Sequence, residues 1–216
     1  MAVVLLLSAT SGIVDAVAYL RYHVFVANQT GNLVIVSLSF VDANLESARV
    51  PSLVGLSAFT LGVFIAVGIR NFLAARGVKA HHIRQWFLGT EVLLILVPAV
   101  LAIWGLDLTF SLLSIALLSL SQAIQGIVIT RFVGYAVQTV VINNAIIAAA
   151  EGAGQRDIKA ALVPLSTLAG YAGGAAVGAA LLLNRTPGIP LLCAVATAFA
   201  AAIIVRRVRI KGGAIN

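Results

Sequence analysis

Charge is what this sequence has least of. Only 10% of its 216 residues are Asp, Glu, Lys or Arg, and 61% are hydrophobic; a soluble domain carries about 25% charged residues and about 45–50% apolar ones. That scarcity excludes an ordinary soluble globule. A single cysteine, Cys193, excludes an internal disulfide and leaves the redox compartment unreadable. Several signatures are missing as well. There is no GxxxxGK[ST] phosphate loop, no GxSxG nucleophile elbow, and no His, Asp or Glu set at metal-ligand spacing. These absences point away from an enzyme and away from a bound metal or cofactor, and any transport must draw on a gradient or a partner.

What is present is apolar and runs long. No charged side chain occurs between Pro51 and Ile69, from Leu108 to Thr130, from Ala160 to Asn184, or from Gly188 to Val205. About 20 apolar residues in a helix cross the hydrocarbon of a bilayer, and only helices or closed barrels satisfy every backbone group there. Barrel strands alternate at period two, which these runs do not. The expectation is an all-α, polytopic membrane bundle, one domain over 1–216, with the lipid bilayer as its first partner. Eight apolar segments fall near 2–20, 24–41, 51–69, 86–105, 108–130, 132–150, 160–184 and 188–205. The first, MAVVLLLSATSG, lacks the basic leader of a signal peptide and reads as a membrane segment.

The net charge of +7 sits in short loops and at the tail. Arg70, Arg76, Lys79 and Arg84 form one group, and Arg206, Arg207, Arg209 and Lys211 another. The loops lack the aromatic side chains on which bases stack, so nucleic acid is not an expected partner. Positive residues instead mark the cytoplasmic side of a membrane. Eight crossings would divide the basic residues evenly. If segments 24–41 and 132–150 do not cross, Arg70, Arg76, Lys79, Arg84, Arg156, Lys159 and the tail gather on one side, which predicts six crossings with both termini cytoplasmic. An offset of 109 places Val24, Ala27, Gln29 and Thr30 on Val133, Ala136, Gln138 and Thr139, and Leu53, Val54, Leu56 and Ser57 on Leu162, Val163, Leu165 and Ser166. Two halves, 1–107 and 108–216, with three crossings each would be inverted repeats, a transporter design.

Two features carry chemistry. Asp15 lies deep in the first segment, where a carboxylate costs at least about 2.5–3.5 kcal/mol on insertion scales; it is either a protonatable or cation-binding group or a packing charge paired with Arg21 or Arg131. Ala27-Asn28-Gln29-Thr30-Gly31-Asn32 interrupts the second segment with polar residues and glycine, which predicts a helix break of the kind that lines midplane sites, or else a polar turn at the surface. Gln138, Thr139, Asn143 and Asn144 form its counterpart. Gln122 and Gln125, one turn apart, either bind a ligand or join helices. The predicted substrate or ion site is therefore Asp15, Asn28, Thr30, Gly31, Asn32, Gln125 and Thr139.

Other features read as architecture. Gly170, Gly174 and Gly178 make a close-packing helix stripe, as do Ala58, Gly62 and Ala66; internal helix contacts are the first reading and a homodimer the second. His81-His82 lack the i,i+4 spacing of a metal pair and read as a solvated loop, as do Glu151, Arg156, Asp157 and Lys159. Pro98 and Pro164 are expected to kink their helices.

The run Gly12-x-x-Asp15 followed by Val24-Phe25-Val26-Ala27-Asn28-Gln29-Thr30-Gly31-Asn32 resembles the amino-terminal signature of the YoaK-like family of bacterial inner-membrane proteins, a domain of unknown function. The resemblance covers the whole chain in length and segment order. In the second half that family tends to show Gly-x-Gln-Asn and a later Thr-Gly; here Ala123-Ile124-Gln125-Gly126 and Thr139-Val140 stand in those places, so Gln125 and Thr139 alone carry over. The resemblance implies a multi-pass protein of the bacterial inner membrane and brings no activity with it. Three functions follow: a secondary transporter or permease of a small solute, coupled to protons through Asp15; a non-transporting scaffold or sensor; and a membrane enzyme, for which the acid–base residues are lacking.

Overall fold

A computed structural model of the chain describes residues 1–129, 142–155, 157–184 and 186–211. They form eight α-helices and one short 3-10 turn: α1 (Ala2–Tyr22), α2 (Gln29–Leu38), the turn Ala43–Leu45, α3 (Glu46–Ala75), α4 (Ala80–Ile103), α5 (Ser111–Ile129), α6 (Ile142–Gly154), α7 (Ile158–Asn184) and α8 (Gly188–Lys211). No strand occurs among the described residues. Six helices, α1, α3, α4, α5, α7 and α8, are long and apolar enough to cross a membrane. The remaining two, α2 with 10 residues and α6 with 13, fall short of the roughly 20 that a crossing needs.

Large apolar side chains point outward along the bundle, among them Leu61, Phe64, Ile65, Leu93, Val97 and Phe199. In water such a surface would aggregate; in lipid it is the solvated face. Trp86 and Trp104 near the two ends of α4 are exposed, and at ~1.5 Å per residue they stand about 27 Å apart. That spacing matches the hydrocarbon thickness, with amphipathic rings at both interfaces. The protein is an all-helical, multi-pass membrane bundle.

Two apolar clusters form its interior. One gathers Val3, Val4 and Leu7 of α1, Ala66 of α3, Ile83, Phe87 and Leu88 of α4, Val128 of α5, Val163 of α7 and Ala201 and Val205 of α8. The other gathers Ile13, Val14, Val17 and Ala18 of α1, Ile95, Ala99 and Ala102 of α4, Ile115 and Leu118 of α5 and Leu191 and Ala194 of α8. The order in which each helix passes the clusters gives its direction. α1 and α4 run from the first to the second; α5 and α8 run from the second to the first. The start of α1 and the far part of α8 share the first cluster, so they lie at one end of the bundle. Arg70, Arg76, Lys79, Arg84, Arg206 and Arg207 belong to helix ends and turns at that same end.

Helix partners follow a pattern. The packed pairs include α1 with α7 and α8, α3 with α5, α4 with α5 and α8, α2 with α3, and α6 with α7. Exchanging α1–α4 with α5–α8 turns each of these pairs into another of them, apart from α4 with α8, which it turns into itself. Close approach of α1 and α7 relies on the glycine stripe. A Cβ on Gly170 would lie 2.7 Å from the Leu5 carbonyl oxygen, one on Gly174 2.7 Å from the Ala9 Cα, and one on Gly178 3.0 Å from the Ile13 Cα. Gly170, Gly174 and Gly178 thus face α1 within one chain. Gly62 of α3 meets Ala123 and Leu120 of α5 in the same manner.

The segment boundaries differ from the sequence reading by several residues, because apolar character stops before helical geometry does: α3 begins at Glu46 and α8 reaches Lys211. His81 and His82 lie in the first turn of α4 rather than in a loop, their rings 4.1 Å apart. Glu151 sits in the last turn of α6. Pro98 and Pro164 lie inside continuous helices.

Candidate functional site

Helix α1 ends at His23, whose backbone takes the left-handed conformation (φ 55°) while its N–H donates to the Tyr19 carbonyl at 2.9 Å. From there to Asn28 the chain is not helical, and it resumes a helix at Gln29. Val24, Val26 and Ala27 in this stretch are fully buried, so its backbone groups need partners inside the protein. Asp15 provides two of them. One of its carboxylate oxygens accepts the N–H groups of Val26 and Ala27, both at 2.7 Å, and the other accepts the Tyr171 hydroxyl of α7 at 2.7 Å. Asp15 is 2% exposed. It holds the unwound segment against α1 and α7 with three donors, none of them a cation.

Asn32 closes the other side. Its side-chain oxygen accepts the Phe25 N–H at 2.9 Å, and its amide donates to the Phe25 carbonyl at 2.6 Å and to the Gln29 side-chain oxygen at 2.8 Å. The Gln29 amide donates to the Val26 carbonyl at 2.8 Å. The Phe25 ring stacks on Tyr19, centroids 4.9 Å apart, and covers Gly31, where a Cβ would lie 2.6 Å from the ring. Gly55 of α3 leaves room on the opposite side: a Cβ there would be 3.1 Å from the Asn32 amide. The break lies before most of the polar run read from the sequence: Ala27 and Asn28 close the non-helical stretch, whereas Gln29, Thr30, Gly31 and Asn32 form the first turn of α2.

The predicted site residues part into groups. Asp15, Gly31 and Asn32 come together at the break. Asn28 caps the start of α2 without a side-chain bond, and Thr30 is exposed. Gln125 belongs to a second buried network one turn along α1. Its amide donates to Ser11 Oγ at 2.7 Å and to the Leu7 carbonyl at 3.0 Å, while Ser11 donates to Gln122 at 2.7 Å. Thr139, with Gln138, lies outside the described residues. Arg21 does not pair with Asp15: its Nε meets Asp107 at 2.5 Å, since both sit where α1 and α4 end. Arg131 lies outside the described residues. Arg49 clamps the end of α2 by donating to the carbonyl and hydroxyl oxygens of Ser39.

One buried group went unread in the sequence. Glu91, in the middle of α4, is fully buried, and neither of its carboxylate oxygens has a hydrogen-bond partner. It is a charged residue type inside a stretch otherwise uncharged from Trp86 to Trp104, the same signal that marks Asp15. Two clefts, of about 440 Å³ between α4 and α8 around Gly89 and Phe199 and of about 410 Å³ near Arg70, Asn71 and Phe87, are lined by neither carboxylate. No cluster of three or more His, Cys, Asp or Glu side chains able to hold a metal occurs among the described residues.

Residues 3–205 match the family described as "Protein of unknown function (DUF1275)". A curated relative, the "UPF0700 transmembrane protein YoaK" of Bacillus subtilis (strain 168), is 44% identical over 62 residues, which cover 28% of this chain and 27% of the relative. The alignment thus spans about a quarter of that relative's length. No solved structure matches the chain. With its family profile matched from residue 3 to residue 205, the chain belongs to the DUF1275 family of transmembrane proteins of unknown function.

Proposed function

We propose that this protein is a secondary transporter of a small solute in the bacterial inner membrane, built from two inverted halves, 1–107 and 108–216, with three crossings each and both termini in the cytoplasm. One observation carries the reading: a buried helix break, fastened by the Asp15 carboxylate, inside a bundle whose corresponding helices run in opposite directions. Discontinuous segments at the interface of inverted repeats are how many gradient-driven transporters form a midplane site. The exchange pattern of helix partners, and the opposed directions of α1 and α5 and of α4 and α8, support the repeat. An odd number of crossings per half makes the inversion obligatory. The basic end, carrying Arg70, Arg76, Lys79, Arg84, Arg206 and Arg207, supports its assignment to the cytoplasm.

Asp15, Asn28, Gly31 and Asn32 shape the break, and Thr30 and Gln125 supply polar groups to the solute path. Substrate selection then resides in the break and ion coupling in a buried carboxylate. A second reading, a non-transporting scaffold or sensor, is favoured by one fact: Asp15 and Asn32 find all their partners within the chain.

Reconstitution into vesicles with a trapped pH indicator separates the two. A panel of amino acids, organic acids, sugars and monovalent salts is added outside under an imposed pH gradient. The transporter reading expects one solute class to dissipate the gradient, and expects Asp15→Asn, which keeps an oxygen acceptor for Val26 and Ala27, to alter that flux in a protein that still folds. No solute-dependent change across the panel, together with a stoichiometric membrane partner in native extracts, favours the scaffold.

A further inference from the structure

Between the two apolar clusters lies a layer that is polar. On α1, Leu7 belongs to one cluster and Ile13 to the other, and Ser8, Thr10 and Ser11 lie between them, all fully buried. On α5, Leu118 and Val128 belong to opposite clusters, with Ser119, Ser121, Gln122 and Gln125 between. On α8, Thr197 lies between Ala194 and Ala201 and shares a 2.8 Å hydrogen bond with Thr10. On α4, the residue between Leu88 and Ile95 that faces inward is Glu91. Four helices therefore place polar side chains at one level, near the middle of each, with apolar packing above and below.

Within that layer the hydroxyls and amides largely satisfy one another, as in Ser11 with Gln122 and Gln125. Glu91 does not join in. Both of its oxygens are buried and unpartnered, as are the Oγ atoms of Ser8 and Ser119 and the Oε1 of Gln125. An anionic carboxylate at the centre of a bilayer-spanning helix is unstable without a neutralising charge, and buried charges are paired or bind cations. Among the described residues, the elements packed against α4 offer no fixed cation at this level. No titratable side chain stands on α5 between Ser111 and Val128; α8 carries Cys193 one cluster away and Arg206 and Arg207 at its exposed end; the charges of α3 and those of α4 itself, His81, His82 and Arg84, lie toward helix ends. Arg84 is the nearest of these along α4, two turns or about 10 Å away.

We propose that Glu91 is an exchangeable small-cation site at the midplane of the bundle, neutralised by a proton or a monovalent metal ion, and that it rather than Asp15 couples solute movement to an ion gradient. The unpartnered oxygens of the same layer, those of Ser119 and Gln125 among them, are suited to follow a change of charge at Glu91. Asp15 is committed to three donors whose loss would release the helix break, whereas Glu91 can gain or lose a cation without breaking any hydrogen bond. The binding part stands on this geometry alone; the coupling part rests on the transporter reading.

Infrared difference spectroscopy on the full-length protein in lipid tests the binding part without any substrate. Membranes are stepped between acidic and alkaline buffer, and separately between choline and sodium at one pH. The wild type is expected to lose a protonated-carboxyl carbonyl band on the alkaline step. Glu91→Gln is expected to lack that band, and Glu91→Asp, which keeps a carboxyl, to move it. If sodium at constant pH removes the same band, a metal ion competes for the site; if only pH does, the ligand is the proton. Wild-type and Glu91→Gln spectra that coincide in both steps would overturn the site. Should Glu91→Gln not fold, as judged by chromatography and helical circular dichroism, a band unmoved in Glu91→Asp overturns it equally. Vesicle flux then tests coupling: Glu91→Gln should abolish gradient-driven accumulation yet retain solute exchange. Retained accumulation would reject coupling while leaving the binding result intact, and a wild type with no flux would reject the transporter reading alone.

Discussion

The two carboxylates buried in this bundle differ in what surrounds them. Asp15 receives two backbone N–H groups and a tyrosine hydroxyl, and Glu91 receives nothing. Both stand where a carboxylate is costly, yet the offsets are unlike. At Asp15 hydrogen bonding to the carboxylate stabilises the acid and the unwound segment together, so its removal exposes the segment. At Glu91 no hydrogen bond would be lost, so removal relieves the bundle of a strained group. A residue that is expensive in place and supports no structure is the stronger candidate for function. A residue that is equally buried but fully bonded is first of all architecture.

That contrast has opposite signs in a stability measurement, which is where it breaks most easily. Asp15→Ala leaves the Val26 and Ala27 amides buried without an acceptor, at about 1–3 kcal/mol each; its thermal unfolding in lipid should fall furthest, with a loss of monodispersity on chromatography. Gly174→Val forces branched carbon into the α1–α7 contact beside Ala9, and overpacking of that sort costs about 1–3 kcal/mol. The same method should register it as a marked drop, with Gly173→Val, whose Cβ position is open, nearly silent. Glu91→Leu should instead raise stability, since a buried unpartnered polar group costs about 1–3 kcal/mol; a fall comparable to that of Asp15→Ala would mean that Glu91 holds structure after all. Smallest is Tyr171→Phe, which removes one donor of three from Asp15 and should cost about 0.5–1.5 kcal/mol.

Much of this was legible in the residues. Uninterrupted apolar runs marked the spans because hydrocarbon allows few other solutions, and Asp15 stood out because its neighbours are apolar. An interruption near Asn28 is readable from the two asparagines, whose side chains compete with helical bonding, and from Gly31, which is a poor helix former; its placement just before Gln29 is not. Partners were not readable. Tyr171 is 156 positions from Asp15, and the choice of Asp107 rather than Asp15 for Arg21 depends on where two helices end in space. Glu91 carried the same signal as Asp15 but lies only two turns from the basic start of α4, so it passes for part of a charged helix end. Only burial separates the two cases. The 109-residue offset was faint in sequence because Ala, Val and Leu recur everywhere. The exchange pattern of helix partners is a separate observation, because packing registers helix order and direction rather than identity.

The claim on which transport rests is that the two halves face opposite ways, and cysteine accessibility in intact cells tests it directly. With Cys193 replaced, single cysteines at Ser47 and Ala153, both exposed, would report the entrances to α3 and α7. The account predicts that a membrane-impermeant maleimide labels the Ser47 position from outside, and that the Ala153 position reacts only after the membrane is opened. Labelling of both from the same side would contradict it: the halves would then be parallel, and the transporter reading of the break, with the coupling role of Glu91, would lose its frame.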